Sequence, residues 1–171
     1  MENILTEKLY NFTAPDGTKI QQWTEAKIKR TYKKKASSII LKAVIDEGLI
    51  KIAVLHDELS QSLVGSPTRA ESESWKFKLD AATAVLAGTA TVVDISVLEP
   101  EAIQSGQTIE ERSQIVLDKS VAHRAVIGLT GAYHEKYRDF MKAATDAGQV
   151  EGYLMQAKAE AATILAARAG K

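Results

Sequence analysis

A forty-residue run without proline, Thr108 to Ala147, constrains this chain more than any other feature. Thr108-Ile109-Glu110-Glu111 opens it as a capping box: the Thr hydroxyl accepts from the backbone three residues on, and the Glu carboxylate reaches back. Gly148 stands just past its far end, where a glycine commonly terminates a helix. Between them Ile115, Ala122, Val126, Leu129, Tyr133, Tyr137, Phe140 and Ala144 recur at helical spacing, with Lys119 in the one gap. The run predicts one long helix. A neighbouring stripe, Val121, Ala125, Gly128 and Ala132, is made of small residues, which let a second helix approach closely.

The remaining punctuation points the same way. The chain has 171 residues, 45% of them hydrophobic, with only three prolines and ten glycines. That composition favours a packed core and long helices over many short strands. The N-terminal exception is Leu9-Tyr10-Asn11-Phe12 and Lys19-Ile20-Gln21-Gln22-Trp23, flanking Ala14-Pro15-Asp16-Gly17-Thr18. Pro presets φ for a turn, Asp bonds its own backbone and Gly supplies positive φ, so this reads as a small β-hairpin. A lone hairpin is marginal in water and must pack on something.

Thr24 then caps a helix carrying Ile28, Tyr32, Ala36, Ile39 and Ala43. Gly48 interrupts this pattern, and Leu49, Ile52, His56, Leu59 and Leu63 resume it, which reads as two helical segments or one helix kinked near Gly48. After Gly65-Ser66-Pro67, Thr68-Arg69-Ala70-Glu71 forms another capping box, and Trp75, Leu79, Ala82 and Leu86 line one face of the helix that ends at Gly88. The stretch from Thr89 to Gln107 reads two ways. Val93, Ile95 and Val97 alternate like a strand, while Val92-Val93 and Val97-Leu98 also suit a short helix; Pro100 fits the first position of a helix over Glu101 to Ser105. Val150 to Ala169 is alanine-rich and predicts a last helix with a thin apolar face.

The expected architecture is therefore mainly α: an elongated helical bundle with long helices and a small N-terminal β-hairpin. Its expected segments are a hairpin arm over 1–23, a basic helical segment over 24–65, a helical domain with the long central helix over 66–147, and an alanine-rich helix over 148–171.

The search for chemistry returns little. There is no cysteine, so thiolate metal sites, disulfides and a cysteine nucleophile are excluded. His134-Glu135-Lys136-Tyr137-Arg138 begins like a zinc-protease helix, but Arg138 stands where the second imidazole is needed. His123 lies three turns from His134, too far to share an ion, and His56 sits alone on the stripe through Leu49 and Leu59. No phosphate-binding glycine loop is present, and Gly128-Leu129-Thr130-Gly131 lacks the third glycine of a dinucleotide fingerprint. Glu71, Glu73, Glu110 and Glu111 fall at helix starts, where the helix dipole accounts for them. The expectation is a protein that is not an enzyme and takes no metal or other cofactor.

Lys27, Lys29, Arg30, Lys33, Lys34 and Lys35 form a basic run. It reads first as a solvated helix face opposite Ile28 and Tyr32, and second as a patch for an anionic partner. With 22 basic and 22 acidic residues the chain is neutral, so an acidic protein surface is favoured over nucleic acid. No stretch is long and apolar enough to span a membrane, and residues 1–13 lack the pattern of a signal peptide.

One long stretch adds a resemblance. It holds Glu73-Ser74-Trp75, Lys78, Ala81-Ala82-Thr83-Ala84, a loop with Leu98, Thr108-Ile109-Glu110-Glu111, and the helix with Lys119, Ala122, Gly128 and Gly131. This resembles the small helical domain found near the C-termini of many tailed-bacteriophage tail-fibre and tail-fibre-assembly proteins. The resemblance implies a structural or adaptor role in a phage tail, at fibre, baseplate or tail tip, with other tail proteins and copies of itself as partners and the virion as location. An alternative is a tail-fibre assembly chaperone not retained in the particle, and a second is a helical module for an anionic partner. The family carries no catalytic residues onto this chain. The expected helix-interface residues are Trp75, Leu79, Val126, Gly128, Leu129, Ala132, Tyr133, Tyr137 and Phe140.

Overall fold

The computed structural model describes residues 7–64 and 69–169. Among these residues the chain is mainly α-helical with one two-stranded antiparallel hairpin at its N-terminal end, as expected. The capping box at Thr68 and Glu71 falls outside the described residues.

Strand β1 (Leu9–Thr13) pairs with β2 (Lys19–Thr24) around the anticipated turn. The Asp16 carboxylate accepts the Thr18 N–H at 3.0 Å, and Gly17 takes φ 87°. The register slips between Tyr10 and Phe12. Beside the slip Gln22 takes φ 56° and its N–H donates to the Asn11 side-chain oxygen at 2.9 Å. The hairpin is not a free arm. Phe12 meets Trp23 and Tyr32 edge-on, at 6.0 and 5.9 Å between ring centroids, which fastens it to the next helix.

Helix α1 (Glu25–Tyr32) is capped by Thr24 and buries Ile28. It stops sooner than the periodicity suggests. Lys33 takes φ 43°, residues Lys33–Lys35 form a 3-10 turn, and α2 (Ala36–Val64) begins afresh. Tyr32 is held on Phe12 and Trp23, while Ala36, Ile39 and Ala43 bury along α2, so the chain changes direction between the two.

At Gly48 the expected interruption is absent, and α2 runs through it. A Cβ there would lie 2.9 Å from Val150 Cγ1 and 3.0 Å from Met141 Sδ. The glycine serves a close approach of side chains to the helix backbone, and the helix accepts its roughly 1 kcal/mol propensity deficit.

Helix α3 (Arg69–Leu86) ends as anticipated: Gly88 takes φ 70°, and Thr89 N–H donates back to Ala84 at 2.9 Å. The ambiguous stretch resolves into one helix, α4 (Val92–Ser105), longer than the segment placed after Pro100. Thr91 and Asp94 form its capping box, and Gly106 closes it at φ 65°. Pro100 lies inside. It offers no N–H to the Ser96 carbonyl, but both residues are exposed, where water can take that carbonyl.

The long run forms α5 (Ile109–Ala143) and the alanine-rich stretch forms α6 (Ala147–Ala169), both as expected. The Thr108 capping box is present, with Glu111 N–H donating to Thr108 Oγ1 at 3.1 Å and Thr108 N–H to the Glu111 carboxylate at 2.8 Å. The stop comes before Gly148, which lies in the first turn of α6. Asp146 starts that helix by accepting the Gln149 N–H at 2.9 Å. An Asx cap outweighs the glycine signal because it satisfies an N–H otherwise left without a partner.

The chain divides into two compact units that cut across the segments expected from its punctuation. One comprises Met1–Leu59 with Gly131–Lys171, and the other Ser60–Thr130. In the first, Ile28, Ile52, Tyr137, Met141 and Val150 are buried. In the second, Ala81, Ala82, Leu98 and Val116 form the core, with Val85 and Val97 packed against them.

Candidate functional site

The nine expected interface residues divide into two groups with different surroundings. Val126, Tyr133 and Tyr137 are buried, and Trp75 and Leu79 are half-buried on α3. Gly128, Leu129, Ala132 and Phe140 are exposed on α5. The buried stripe of α5 runs through Ser113, Val116, Ser120, Val126, Thr130, Tyr133, Tyr137 and Met141. It is offset from the expected stripe because small polar residues occupy inward positions. Ser113 and Thr130 satisfy their hydroxyls on carbonyls of their own helix, at 2.7 and 3.3 Å.

The large aromatics of α5 meet α6. Tyr133 donates its hydroxyl to the Ala157 carbonyl at 3.1 Å, and Tyr137 donates to the Glu160 carboxylate at 2.6 Å. Lys136 reaches the same carboxylate oxygen at 2.5 Å. Burial pushes the Tyr133 hydroxyl up to about 12, and burial with the Glu160 charge pushes Tyr137 higher still. Both stay protonated as donors. Glu160 is held below the usual carboxylate range, first by Lys136 and then by Tyr137. This cluster seals one helix pair and leaves no group poised for proton transfer near neutrality.

A second polar cluster escaped sequence reasoning. Glu101 of α4 is clasped by Lys78 of α3 and by Arg112 of α5, whose Nε lies 3.1 Å from Glu101 Oε2. Lys78 first, and Arg112 with it, hold the Glu101 carboxyl below its ordinary value. The three residues lie 11 to 23 positions apart, so no local pattern announces them.

The histidine readings also change. His56 and His134 are brought together, with ring centroids 4.9 Å apart, and His56 Nδ1 lies 3.2 Å from the Asp57 carboxylate. Burial, and then the neighbouring His56, lower the His134 pKa. Among the described residues no three His, Asp or Glu side chains are placed to hold one metal ion.

On the outer side of α5, Val121, Ala122, Ala125, Gly128 and Leu129 are all exposed, and a Cβ at Gly128 would meet nothing within 4 Å. The closely approaching helix expected on this face is not supplied by the described residues. Val121 keeps 61% of its surface exposed, Ile127 54% and Leu129 47%, which is unusual for large apolar side chains on one helix. The six basic residues are exposed as well, on α1 and the 3-10 turn after it. Lys29 pairs with Glu25, and Lys27 lies over the Trp23 ring at 4.1 Å. Arg30, Lys33, Lys34 and Lys35 have no carboxylate partner among the described residues.

No protein-family model, no curated protein and no solved structure matches this chain. No helix is long and apolar enough to cross a membrane among the described residues.

Proposed function

We propose that this chain is a structural or adaptor component that assembles with other helical proteins, in the setting of a bacteriophage tail. The observation that carries the assembly reading is the uncovered apolar face of α5, from Val121 to Leu129. Its alanines and glycine leave room for a helix at close range, and Val121 and Leu129 supply the area that such a helix would remove from water. The tail setting rests on the resemblance carried by Glu73-Ser74-Trp75, Thr108-Ile109-Glu110-Glu111 and the α5 glycines.

Two experiments test the parts separately. Gly128→Leu places a bulky side chain on an exposed position with open space around it, so the fold persists while helix docking is blocked. Loss of complex formation in light scattering, with an unchanged circular dichroism spectrum, is the expected result. Unchanged assembly removes the α5 face from consideration. For the setting, the protein co-purifies with phage particles from cells that express its gene during infection; its absence from washed particles counts against a resident tail component.

A further inference from the structure

Opposite charges are segregated along this neutral chain. Residues 26–45 hold seven lysines and arginines and no carboxylate. Since the chain has 22 residues of each sign, the rest carries 15 bases against 22 acids. The deficit is steepest over residues 94–118, where six carboxylates stand beside a single base, Arg112. That base and Lys78 are already committed to Glu101. Glu99, Glu110, Glu111 and Asp118 are exposed. Glu111 and Asp118 each accept one local hydrogen bond, at 2.8 Å from Thr108 N–H and from Gln114 respectively, and each keeps a second oxygen for another donor.

The basic side is unusual for its position. Lys33, Lys34 and Lys35 sit directly before α2, which has no acidic residue in its first turn. Cations at a helix N-terminus oppose the helix dipole. Arg30 and Lys33 lie at the C-terminal end of α1, whose dipole favours cations, so the cost falls on Lys34 and Lys35, and a carboxylate-bearing surface brought against them would relieve it.

We propose that the basic face of one copy, Arg30 and Lys33 to Lys35, docks on the acidic face of a second copy around Glu99, Glu110, Glu111 and Asp118. Charge complementarity selects this occupant. The cluster is five lysines and one arginine, point charges without the planar forks that dominate phosphate recognition. Trp23 and Tyr32 are packed on Phe12, so they offer no free ring for base stacking. Ile28, the apolar side of α1, is fully buried, so no apolar face remains to enter a lipid surface. The contact joins unlike faces. Made reciprocally it closes a twofold dimer, and repeated head to tail it generates a ring or a filament. It is charged and salt-sensitive, unlike the apolar α5 contact proposed above.

The full chain in light scattering at about 0.05 M and about 0.5 M salt tests this, because screening shortens from more than 10 Å to a few ångströms over that range. We expect species larger than the 18.6 kDa chain at low salt. The apparent dissociation constant should rise at least about tenfold at high salt. Lys33→Glu, Lys34→Glu and Lys35→Glu combined abolish the salt-sensitive species, and so do Glu99→Lys and Glu110→Lys combined. An equimolar mixture of the two variants restores the salt-sensitive association, because one variant is acidic and the other basic on both faces. Circular dichroism confirms that each variant remains folded. A monomer at both salt concentrations overturns the proposal, as does salt-sensitive self-association that survives either charge reversal, or duplex DNA binding through the same lysines without self-association. Assembly through the apolar face of α5 persists at high salt, so the two contacts fail separately.

Discussion

His134 illustrates what single residues contribute here. Its imidazole is partly buried against that of His56, with Asp57, Glu135 and Arg138 as the charged neighbours. Its folded-state pKa lies below the ordinary value, so the folded protein binds fewer protons than the unfolded chain as pH falls through the ordinary histidine range. Stability is full above that range and declines below it. The melting temperature should therefore fall between pH 7 and pH 5, and His134→Gln should flatten the decline. Glu101 acts lower on the scale: its depressed pKa gives stability that is present above the ordinary glutamate value and lost as pH falls through the folded one. Glu101→Gln leaves Lys78 and Arg112 facing a neutral amide and should cost about 1–2 kcal/mol in urea denaturation at neutral pH. Neither cluster was legible in the sequence, because each joins residues far apart in the chain. The Thr108 box was legible, because both its partners lie within one turn.

At the scale of elements, glycine carries opposite meanings at two sites. Gly48 lies against Val150 and Met141, and Val150 has a stiff, branched side chain that cannot swing aside. Gly48→Ala gains up to about 1 kcal/mol of helix propensity but overpacks the contact, for an expected net loss of about 1–2 kcal/mol. Gly128 faces open space, so Gly128→Ala should raise the stability of the isolated chain by about 0.5–1 kcal/mol. Thermal melts of both variants check the pair; shifts of opposite sign are the outcome to look for. Sequence punctuation placed an interruption at Gly48 and an end at Gly148. The competing signals were tertiary at the first and a cap at the second. The inward stripe of α5 was misplaced for a related reason. Counting only apolar residues omits Ser113, Ser120 and Thr130, which are buried. Helix content, the hairpin turn and the caps at Thr24 and Gly88 followed from local chemistry and were readable in advance.

At the scale of the molecule, one compact unit is continuous in the chain and the other is not. Residues Ser60–Thr130 form the first, whereas Met1–Leu59 must join Gly131–Lys171 to make the second. This arrangement sets an order during synthesis. The ribosome delivers the whole of the continuous unit before it makes Met141 and Val150, the side chains that close over Gly48. At roughly 5–20 residues per second, the N-terminal helices wait for seconds with their inner faces uncovered. Ribosome-bound chains arrested where Thr130 has just cleared the exit tunnel should thus show protease protection around Ala81 and Leu98 but cleavage within α2, and protection of α2 at that length would contradict the ordering. The helices before Leu59 are made ahead of the continuous unit yet completed after it, so they are open to other proteins for longer than the segments that follow them.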